Sequence, residues 1–264
     1  MIRSYYNLKR MPFQKNINPK DIFQTKSGIE LRKRFEHMLH NRGIMLITGP
    51  PGTGKTFNAR AFVHNINENQ YKPFYLALST VTVIEFYRQL CVYICNESYW
   101  KKTQLFSAIQ QNIKNYVSNN KVIPVIILDE CHLLKNEIFY ELQLILNFDM
   151  DSVTPCILIL IGQPHLRNRL LAPVFESFNQ RITLKYHLSS LSKEESHSYI
   201  NHHLKLSGRK SPIFNANALN AIHQNTNGVA RVINKLALKT LMIGALEGKQ
   251  VLSEEEVYRA SKEL

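Results

Sequence analysis

The sequence predicts an α/β fold, with a parallel sheet flanked by helices, followed by a smaller all-helical region. Short apolar runs rich in β-branched residues alternate with helical patterns through the first 188 residues. This alternation is typical of parallel sheets whose strands are connected by helices. After Leu188 the strand-like runs stop and helical patterns alone follow.

The elements can be placed from these patterns. The predicted strands cover 43–48, 73–78, 122–129, 155–162 and, more weakly, 181–188. The predicted helices between them cover 54–67, 83–97, 103–118, 136–147 and 166–171. The predicted C-terminal helices cover about 193–207, 216–225, 229–246 and 253–263. Ser192 and Ser253 each precede acidic residues, which favours helix starts there.

The change of pattern near Leu188 predicts two domains. We expect an α/β domain at 1–188 and an all-helical domain at 189–264. Residues 1–42 of the first domain form a basic segment. A chain of 264 residues is long enough for a core of this size plus a small second domain.

The composition is that of a globular protein, with 44% apolar and 20% charged residues. No apolar run reaches the roughly 18 to 20 residues that span a bilayer, and the start lacks an apolar stretch of signal-peptide length. We therefore expect a cytoplasmic protein without a membrane partner. Four cysteines fit a reducing compartment. Cys91 and Cys95 have no second pair at zinc-finger spacing, which favours core thiols over a metal site.

The net charge of +13 favours a polyanionic partner, nucleic acid before a membrane surface. Residues 1–60 contain 12 basic and 3 acidic residues, so a charge of +9 lies in the first quarter of the chain. A generally basic soluble protein is the alternative interpretation of the charge alone.

GPPGTGKT, at 49–56, matches G-x-x-x-x-G-K-[ST] between a predicted strand and a predicted helix. In such a loop, backbone N–H groups surround the β-phosphate at a helix N-terminus that favours anions. Lys55 is expected to reach the β- and γ-phosphates, and the Thr56 hydroxyl to bind Mg²⁺. The candidate nucleotide contacts are Gly49, Pro50, Pro51, Gly52, Thr53, Gly54, Lys55, Thr56 and Phe57.

A second motif, VIILDECH, places two carboxylates directly after an apolar strand. We expect Asp129 to hold Mg²⁺, and Glu130 to polarise the attacking water as a general base. An apolar run that ends in Asp-Glu can also be an ordinary strand end. Because this one is paired with the phosphate loop, the sequence predicts an ATPase that uses ATP and Mg²⁺.

Five further positions are candidates for contact with the γ-phosphate. Gln163 ends the strand CILILIG and fits a polar sensor that aligns water. Arg181, before the last strand, fits a cation supplied in trans to a neighbouring subunit, although a surface ion pair is the alternative. Arg167 and Arg169 are other candidates for that trans cation. Arg231, at the start of the long C-terminal helix, fits a sensor that couples the nucleotide to the helical domain.

The order of these parts resembles that of AAA+ ATPases: Walker A, Walker B, a polar sensor, an arginine and a helical domain with a second arginine. The start, YYNLKRMPF and then IFQT, resembles the ExeA-like branch, in which Tyr5, Tyr6, Pro12 and Phe13 lead into the nucleotide pocket. The other segments that resemble this branch are LSTVTVIEFYRQL, VIILDECHLL, LIGQPHLR, QRITLKYHLSSLSKEE and NGVARVIN, so the resemblance covers essentially the whole chain.

Transposition ATPases of the TnsC, TniB and MuB kind share this core. ExeA itself, a secretion-assembly ATPase, also has a membrane segment and a wall-binding module, and this sequence stops at Leu264 without either. We therefore expect an ATP-dependent regulator of DNA transposition. The resemblance implies a ring or filament that self-assembles on duplex DNA with ATP and disassembles on hydrolysis. Its protein partners would be a transposase and a target-selector protein.

Two other functions fit the same motifs, namely a secretion or envelope-assembly ATPase and a replication helicase loader.

The sequence departs from the family pattern at two positions. Cys131 stands where a small alanine is more usual, and Gly-Val-Ala-Arg lacks the proline often found before the arginine. The missing proline weakens the resemblance at Arg231, the candidate sensor.

Two loops are candidates for contact with DNA phosphates, because loops at these places line the DNA in the transposition relatives. The candidate residues are Ser79, Thr80, Thr82, Arg88, Lys101, Lys102 and Thr103. Thr82 also fits a helix cap, a role compatible with phosphate binding, and the two lysines also fit a solvated basic turn.

Overall fold

A computed structural model of the chain describes residues 2–14, 17–77, 80–209 and 211–263. The strands are β1 (Gly43–Thr48), β2 (Tyr71–Ala77), β3 (Ile123–Asp129), β4 (Ile157–Gly162) and β5 (Ile182–His187). The helices of the first half are α1 (Ile2–Tyr5), α2 (Lys26–Asn41), α3 (Lys55–Asn65), α4 (Val83–Cys95), α5 (Lys102–Ser118) and α6 (Asn136–Ile145). Those of the second half are α7 (Pro164–Leu170), α8 (Glu176–Gln180), α9 (Lys193–Leu206), α10 (Ala216–Thr226), α11 (Ala230–Leu246) and α12 (Glu254–Ser261).

The five strands form one parallel sheet in the order β2-β3-β4-β1-β5, so the predicted α/β sheet is confirmed. Thr48 at the end of β1 is in register with Gly162 at the end of β4. Because β4 lies between β1 and β3, the residues that follow these three strands emerge side by side at one edge of the sheet. That edge is where ligands bind in open α/β sheets.

The chain divides into two compact units, which we call the sheet unit and the helical unit. The sheet unit comprises Glu30–Gly49 and Lys55–Leu188. The helical unit comprises Met1–Ile29, Pro50–Gly54 and Ser189–Leu264.

Both faces of the sheet are buried, since apolar side chains of successive strand residues point to opposite faces. Ile126 and Leu128 of β3 pack into one apolar cluster with helices α4 to α6. Val125 and Ile127 of the same strand pack into a second cluster, which includes Phe35. This explains why the strands appear in the sequence as continuous apolar runs.

In the helical unit, the N-terminal segment packs with the C-terminal helices. Tyr6 is fully buried, and its hydroxyl donates a hydrogen bond to the carbonyl oxygen of Lys249 at 3.1 Å. A Cβ on Gly244 of α11 would lie 2.5 Å from that hydroxyl, so the glycine permits the close approach. Phe13 stacks on His203 with ring centroids 5.2 Å apart.

This division differs from the domain boundaries that the sequence predicts. The helical unit includes residues up to Ile29, whereas the sequence analysis assigns them to the domain at 1–188. Ile2, Tyr6, Leu8 and Phe13 of this segment are buried in one apolar cluster with side chains of helices α9 to α12. The sequence patterns also did not reveal α2, whose first turn lies in the helical unit and whose remainder lies in the sheet unit. In the described parts of the chain, none of the helices has the length and apolar character needed to cross a bilayer.

Candidate nucleotide site

The loop at 49–56 connects β1 to α3, as the motif predicts. The Nζ atom of Lys55, a buried residue, donates a hydrogen bond to the carbonyl oxygen of Gly49 at 2.8 Å. Thr53 closes the turn through a 2.9 Å bond from its hydroxyl to the Pro50 carbonyl oxygen. Gly54 has a φ of +98°, a conformation that side chains disfavour. The loop therefore has the bends that a phosphate cradle requires.

Both the backbone conformation and the close surroundings of Gly52 favour glycine there. Its φ is +83°, and a Cβ there would lie 2.8 Å from the Cβ of Arg231 and 3.1 Å from Val229. Its carbonyl oxygen accepts a 3.2 Å hydrogen bond from the backbone N–H of Arg231. The start of α11 thus rests directly on the phosphate loop, and the side chain of Arg231 is exposed there.

Asp129, at the end of β3, is 2% exposed and has both carboxylate oxygens bonded. Oδ2 accepts hydrogen bonds from the Thr56 hydroxyl at 2.6 Å and from the Tyr75 hydroxyl at 2.9 Å. Oδ1 accepts from the backbone N–H of Glu130 at 2.8 Å. Burial, together with the adjacent Asp129 carboxylate, raises the pKa of the Tyr75 phenol, which is therefore a donor at neutral pH.

Thr56 and Asp129 fit a magnesium site. Their contact brings a hydroxyl and a carboxylate together, and oxygen atoms of this kind are the ligands that Mg²⁺ prefers. Mg²⁺ usually takes one or two protein oxygens and completes its shell with water and phosphate oxygens. Among the described residues, no group of three His, Cys, Asp or Glu side chains could hold a metal without such help.

Glu130 follows Asp129 in a left-handed conformation, with φ 57° and ψ 30°. This backbone is costly for a residue other than glycine and is often found at functional sites. Its side chain is 50% exposed, whereas that of Asp129 is buried. The two neighbouring carboxylates thus have different environments, as separate roles would require.

Gln163 lies directly after β4, the strand between β1 and β3. Its carboxamide Nε2 lies 2.9 Å from Nε2 of His132. His132 Nδ1 in turn lies 3.4 Å from Oε2 of Glu130. His132 and Tyr75 are not among the site residues that the sequence predicts, although the histidine stands two positions after Glu130 in VIILDECH.

The candidate trans cations differ in their surroundings. The guanidinium of Arg169 donates hydrogen bonds to the carbonyl oxygens of His132 and Leu134, at 3.3 Å and 2.8 Å. It also lies 4.8 Å from the ring centre of Phe139, so it is held within its own chain. Arg167 is exposed on α7.

Arg181 lies at the opposite edge of the sheet from the phosphate loop of its own chain. It directly precedes Ile182, which is in register with Ile44 near the start of β1. A six-residue strand is about 20 Å long, so Arg181 is far from its own phosphate loop. Its guanidinium makes a 2.8 Å ion pair with Asp151.

The candidate DNA contacts lie in two places in the structure. Thr82 caps α4, since its hydroxyl accepts a hydrogen bond from the N–H of Glu85 and the Glu85 carboxylate accepts one from the Thr82 N–H. Thr80 is exposed, and Ser79 lies outside the described residues.

The second place is a basic, aromatic surface at the start of α5. The guanidinium of Arg88 lies 5.5 Å from the ring centre of Trp100, which is 85% exposed. Lys101, Lys102 and Thr103 are exposed beside it, and Lys102 makes a 2.5 Å ion pair with Glu141. We call Arg88, Trp100, Lys101, Lys102 and Thr103 the Trp100 surface. Trp100 is not among the candidate DNA contacts that the sequence predicts.

Comparison with known proteins gives a family and a set of related folds. A family model described as an AAA domain matches residues 37–170. The chain is 27% identical over 271 residues to general secretion pathway protein A of Aeromonas hydrophila. This match covers the whole of the present chain and 48% of that relative.

Two solved structures illustrate the fold. Cdc6p of Pyrobaculum aerophilum is similar with a TM-score of 0.71 and 15% identity, over 95% of this chain and 70% of that one. The ORC1 protein of Aeropyrum pernix, solved in complex with DNA, is similar with a TM-score of 0.66 and 14% identity, over 91% of this chain and 66% of that one. At such low identity these structures show a shared fold.

Proposed function

We propose, from the premise that this chain belongs to the AAA domain family, that it hydrolyses ATP and uses the nucleotide to assemble on duplex DNA. Its P-loop AAA+ fold is the one that the sequence predicts. The observation that carries the proposal is the convergence of Thr56, Asp129 and Glu130 beside the phosphate loop. These residues are the parts that metal-assisted hydrolysis of a triphosphate requires.

In the proposed reaction, a water oxygen attacks the γ-phosphorus of ATP. Glu130 accepts the proton of that water, the bond from the γ-phosphorus to the β–γ bridging oxygen breaks, and ADP leaves with the electron pair. Lys55 leaves the Gly49 carbonyl to bind the phosphates. Mg²⁺, when held by Thr56 and Asp129, neutralises charge that develops on the phosphate oxygens.

Three further residues complete the proposed site. Gln163 orients the attacking water from its place between the ends of β1 and β3. Arg181 serves the γ-phosphate of a neighbouring copy, which its distance from its own phosphate loop favours. Arg231 senses the nucleotide through its backbone contact with Gly52. Hydrolysis in this arrangement depends on self-assembly.

Two observations support duplex DNA as the partner. The net charge is +13, and the Trp100 surface combines exposed lysines with an arginine and an aromatic ring. Cations at such a surface bind the phosphate backbone irrespective of sequence. Thr80 and Thr82 would extend the contact. We propose that the assembled protein regulates DNA transposition, with a transposase and a target-selector protein as partners.

A second candidate function follows from one observation, the 27% identity to general secretion pathway protein A over the whole chain. Under this proposal, the same ATPase site drives the assembly of an envelope component, and the partner is a protein. The chain spans about half of that relative's length.

One experiment tests the first proposal against the second. ATP turnover is measured with and without a 60-base-pair duplex, and affinity for the duplex is measured from 50 to 300 mM salt with a nonhydrolysable ATP analogue. We expect nucleotide-dependent binding that weakens steeply with salt, because counterions are released. ATP turnover without DNA affinity would favour the secretion proposal. Tighter binding to single strands than to duplex would favour a helicase loader.

Glu130→Gln provides a matched check on the catalytic assignment. The substitution removes the base and keeps the side-chain volume, so turnover is expected to fall about 100-fold or more. Assemblies with ATP on DNA should then persist, which electron microscopy can follow over time. Unchanged turnover in this variant would remove Glu130 from its proposed role.

A further inference from the structure

His132 occupies a buried position between two side chains of the proposed site. Its side chain is 6% exposed, and its Nε2 lies 2.9 Å from the carboxamide Nε2 of Gln163. Its Nδ1 lies 3.4 Å from Oε2 of Glu130. Among the described residues, no hydrogen bond reaches this buried Nδ1. An unsatisfied buried nitrogen normally costs stability, so its retention here calls for an explanation.

The backbone around His132 is held by contacts from other elements. The guanidinium of Arg169 bonds the carbonyl oxygens of residues 132 and 134. A Cβ on Gly162 would lie 3.3 Å from the backbone nitrogen of His132 and 2.5 Å from Leu166, so the end of β4 must approach this turn closely. The imidazole is therefore presented to Glu130 and Gln163 from a fixed turn.

The hydrogen-bonding chemistry of Gln163, His132 and Glu130 indicates which nitrogen of the His132 ring carries the proton. A carboxamide nitrogen donates hydrogen bonds and does not accept them, so Nε2 of His132 accepts from Gln163 and carries no proton. Burial lowers the pKa of His132 below its usual range, which favours the neutral ring. A neutral imidazole without a proton on Nε2 has its proton on Nδ1, facing the Glu130 carboxylate.

We infer that His132 is a positioning residue that connects Gln163 to Glu130, accepting from the carboxamide and donating to Oε2 of the carboxylate. Oε1 of Glu130 is then left for the attacking water. This hydrogen bond requires the 3.4 Å separation to shorten when the site aligns for reaction, as hydrogen bonds of catalytic groups commonly do. This inference rests on the proposed ATPase function and adds a residue that couples its water-aligning amide to its base.

The first test reads the ring directly and needs no turnover. Imidazole ¹⁵N chemical shifts of His132 in this 264-residue chain, without nucleotide, should show the proton on Nδ1. Gln163→Leu removes the donor to Nε2 and should shift the ring towards the Nε2-protonated form. A proton on Nε2 in the parent protein would mean that the amide of Gln163 is reversed, and would overturn the inference.

The second test separates positioning from binding. His132→Phe should lower kcat for ATP about 10- to 100-fold, the effect expected for a hydrogen bond to a charged group, with KM within about 2-fold. His132→Asn should recover part of kcat, because the Asn amide nitrogen occupies the place of Nδ1. His64→Phe, on the exposed end of α3, is the matched control and should leave kcat unchanged.

A double-mutant cycle decides whether the residues act together. If His132 works through Gln163 and Glu130, combining His132→Phe with Gln163→Ala should lower kcat much less than the product of the two single effects. Multiplicative effects, or a full kcat in His132→Phe with a normal melting temperature, would refute the inference while leaving the ATPase proposal in place. A parent protein without any ATP turnover would refute the proposed function and the inference with it.

Discussion

The hydroxyl of Thr56 lies 2.6 Å from Oδ2 of Asp129 and donates a hydrogen bond to it. The first residue belongs to the helix after β1 and the second ends β3, two strands with β4 between them. Their contact joins the phosphate-binding and carboxylate motifs into one site.

Replacing Thr56 tests this pairing. Thr56→Ala should weaken Mg²⁺-dependent nucleotide binding and lower ATP turnover by about 10-fold or more, since the variant lacks both a cation ligand and the bond to Asp129. Thr56→Ser keeps the hydroxyl and should stay close to the parent protein. Titration of a fluorescent ATP analogue with and without Mg²⁺ measures the effect. Equal Mg²⁺ dependence in all three proteins would contradict the assignment.

Tyr75 should affect the same carboxylate from the neighbouring strand β2. Tyr75→Phe removes the 2.9 Å hydrogen bond to Asp129 and keeps the ring. Because the tyrosine is 41% exposed, we expect a modest loss, about 2- to 10-fold in apparent Mg²⁺ affinity. Tyr93→Phe, on the exposed side of α4, serves as the control. A Tyr75→Phe protein with unchanged Mg²⁺ affinity would show that the bond has no part in cation binding.

The chain has a single tryptophan, which makes the Trp100 surface observable. If duplex DNA contacts this surface, intrinsic fluorescence should change on binding. Lys101→Gln should then lower the slope of log K against log salt by about 0.9 for each DNA phosphate that the variant no longer neutralises. Lys114→Gln, in the last part of the same helix α5, should keep the slope. DNA binding without a fluorescence change would place the contact elsewhere.

Glu256 should be important for the stability of the helical unit. Its side chain is fully buried, and burial by itself raises the pKa of the carboxyl. Hydrogen bonds from Lys249 and Ser253 have the larger, opposite effect and lower that pKa to about 2. A lowered pKa stabilises the fold above the unfolded value of about 4.5, and that stability is lost as the pH falls towards 2. Glu256→Gln should therefore destabilise at pH 7 by about 2 to 4 kcal/mol, measured by urea unfolding. An unchanged midpoint would contradict this role.

His203 should make stability depend on pH in a different range. Burial, with smaller contributions from His202 and Arg10, lowers the pKa of its ring to about 4 from 6.5. The unfolded chain then binds one more proton between these values, so stability falls as the pH drops from about 6.5 to 4. Between pH 7.5 and 5.0 the expected loss from this residue is about 2 kcal/mol.

His203→Phe removes this titration and keeps a flat ring beside Phe13. The difference in unfolding free energy between parent and variant should therefore change with pH over the same range. Other histidines, such as the half-buried His197, contribute equally to both proteins and cancel in the comparison. Parallel pH curves for the two proteins would contradict the prediction.

The sequence alone predicted the sheet and most helices, because apolar periodicity and local caps are written in neighbouring residues. The phosphate loop and the carboxylates after β3 could be recognised for the same reason, since each motif is contiguous. The residues Tyr75 and His132 could not, because their roles depend on which strands are neighbours in the sheet. The hydrogen bonds that hold Arg169 could not be predicted from the sequence either, because the carbonyl oxygens that accept them lie more than thirty positions away along the chain.

The sequence by itself therefore determined the candidate chemistry, namely a phosphate-loop motif, a pair of carboxylates and an excess of basic charge. The tertiary structure decided which side chains meet, through the order β2-β3-β4-β1-β5 and the burial of Tyr6 and Phe13 among distant helices. The physical reason is that local patterns follow from backbone geometry and neighbouring side chains. Contacts between distant residues arise instead when apolar faces from separate segments are buried together.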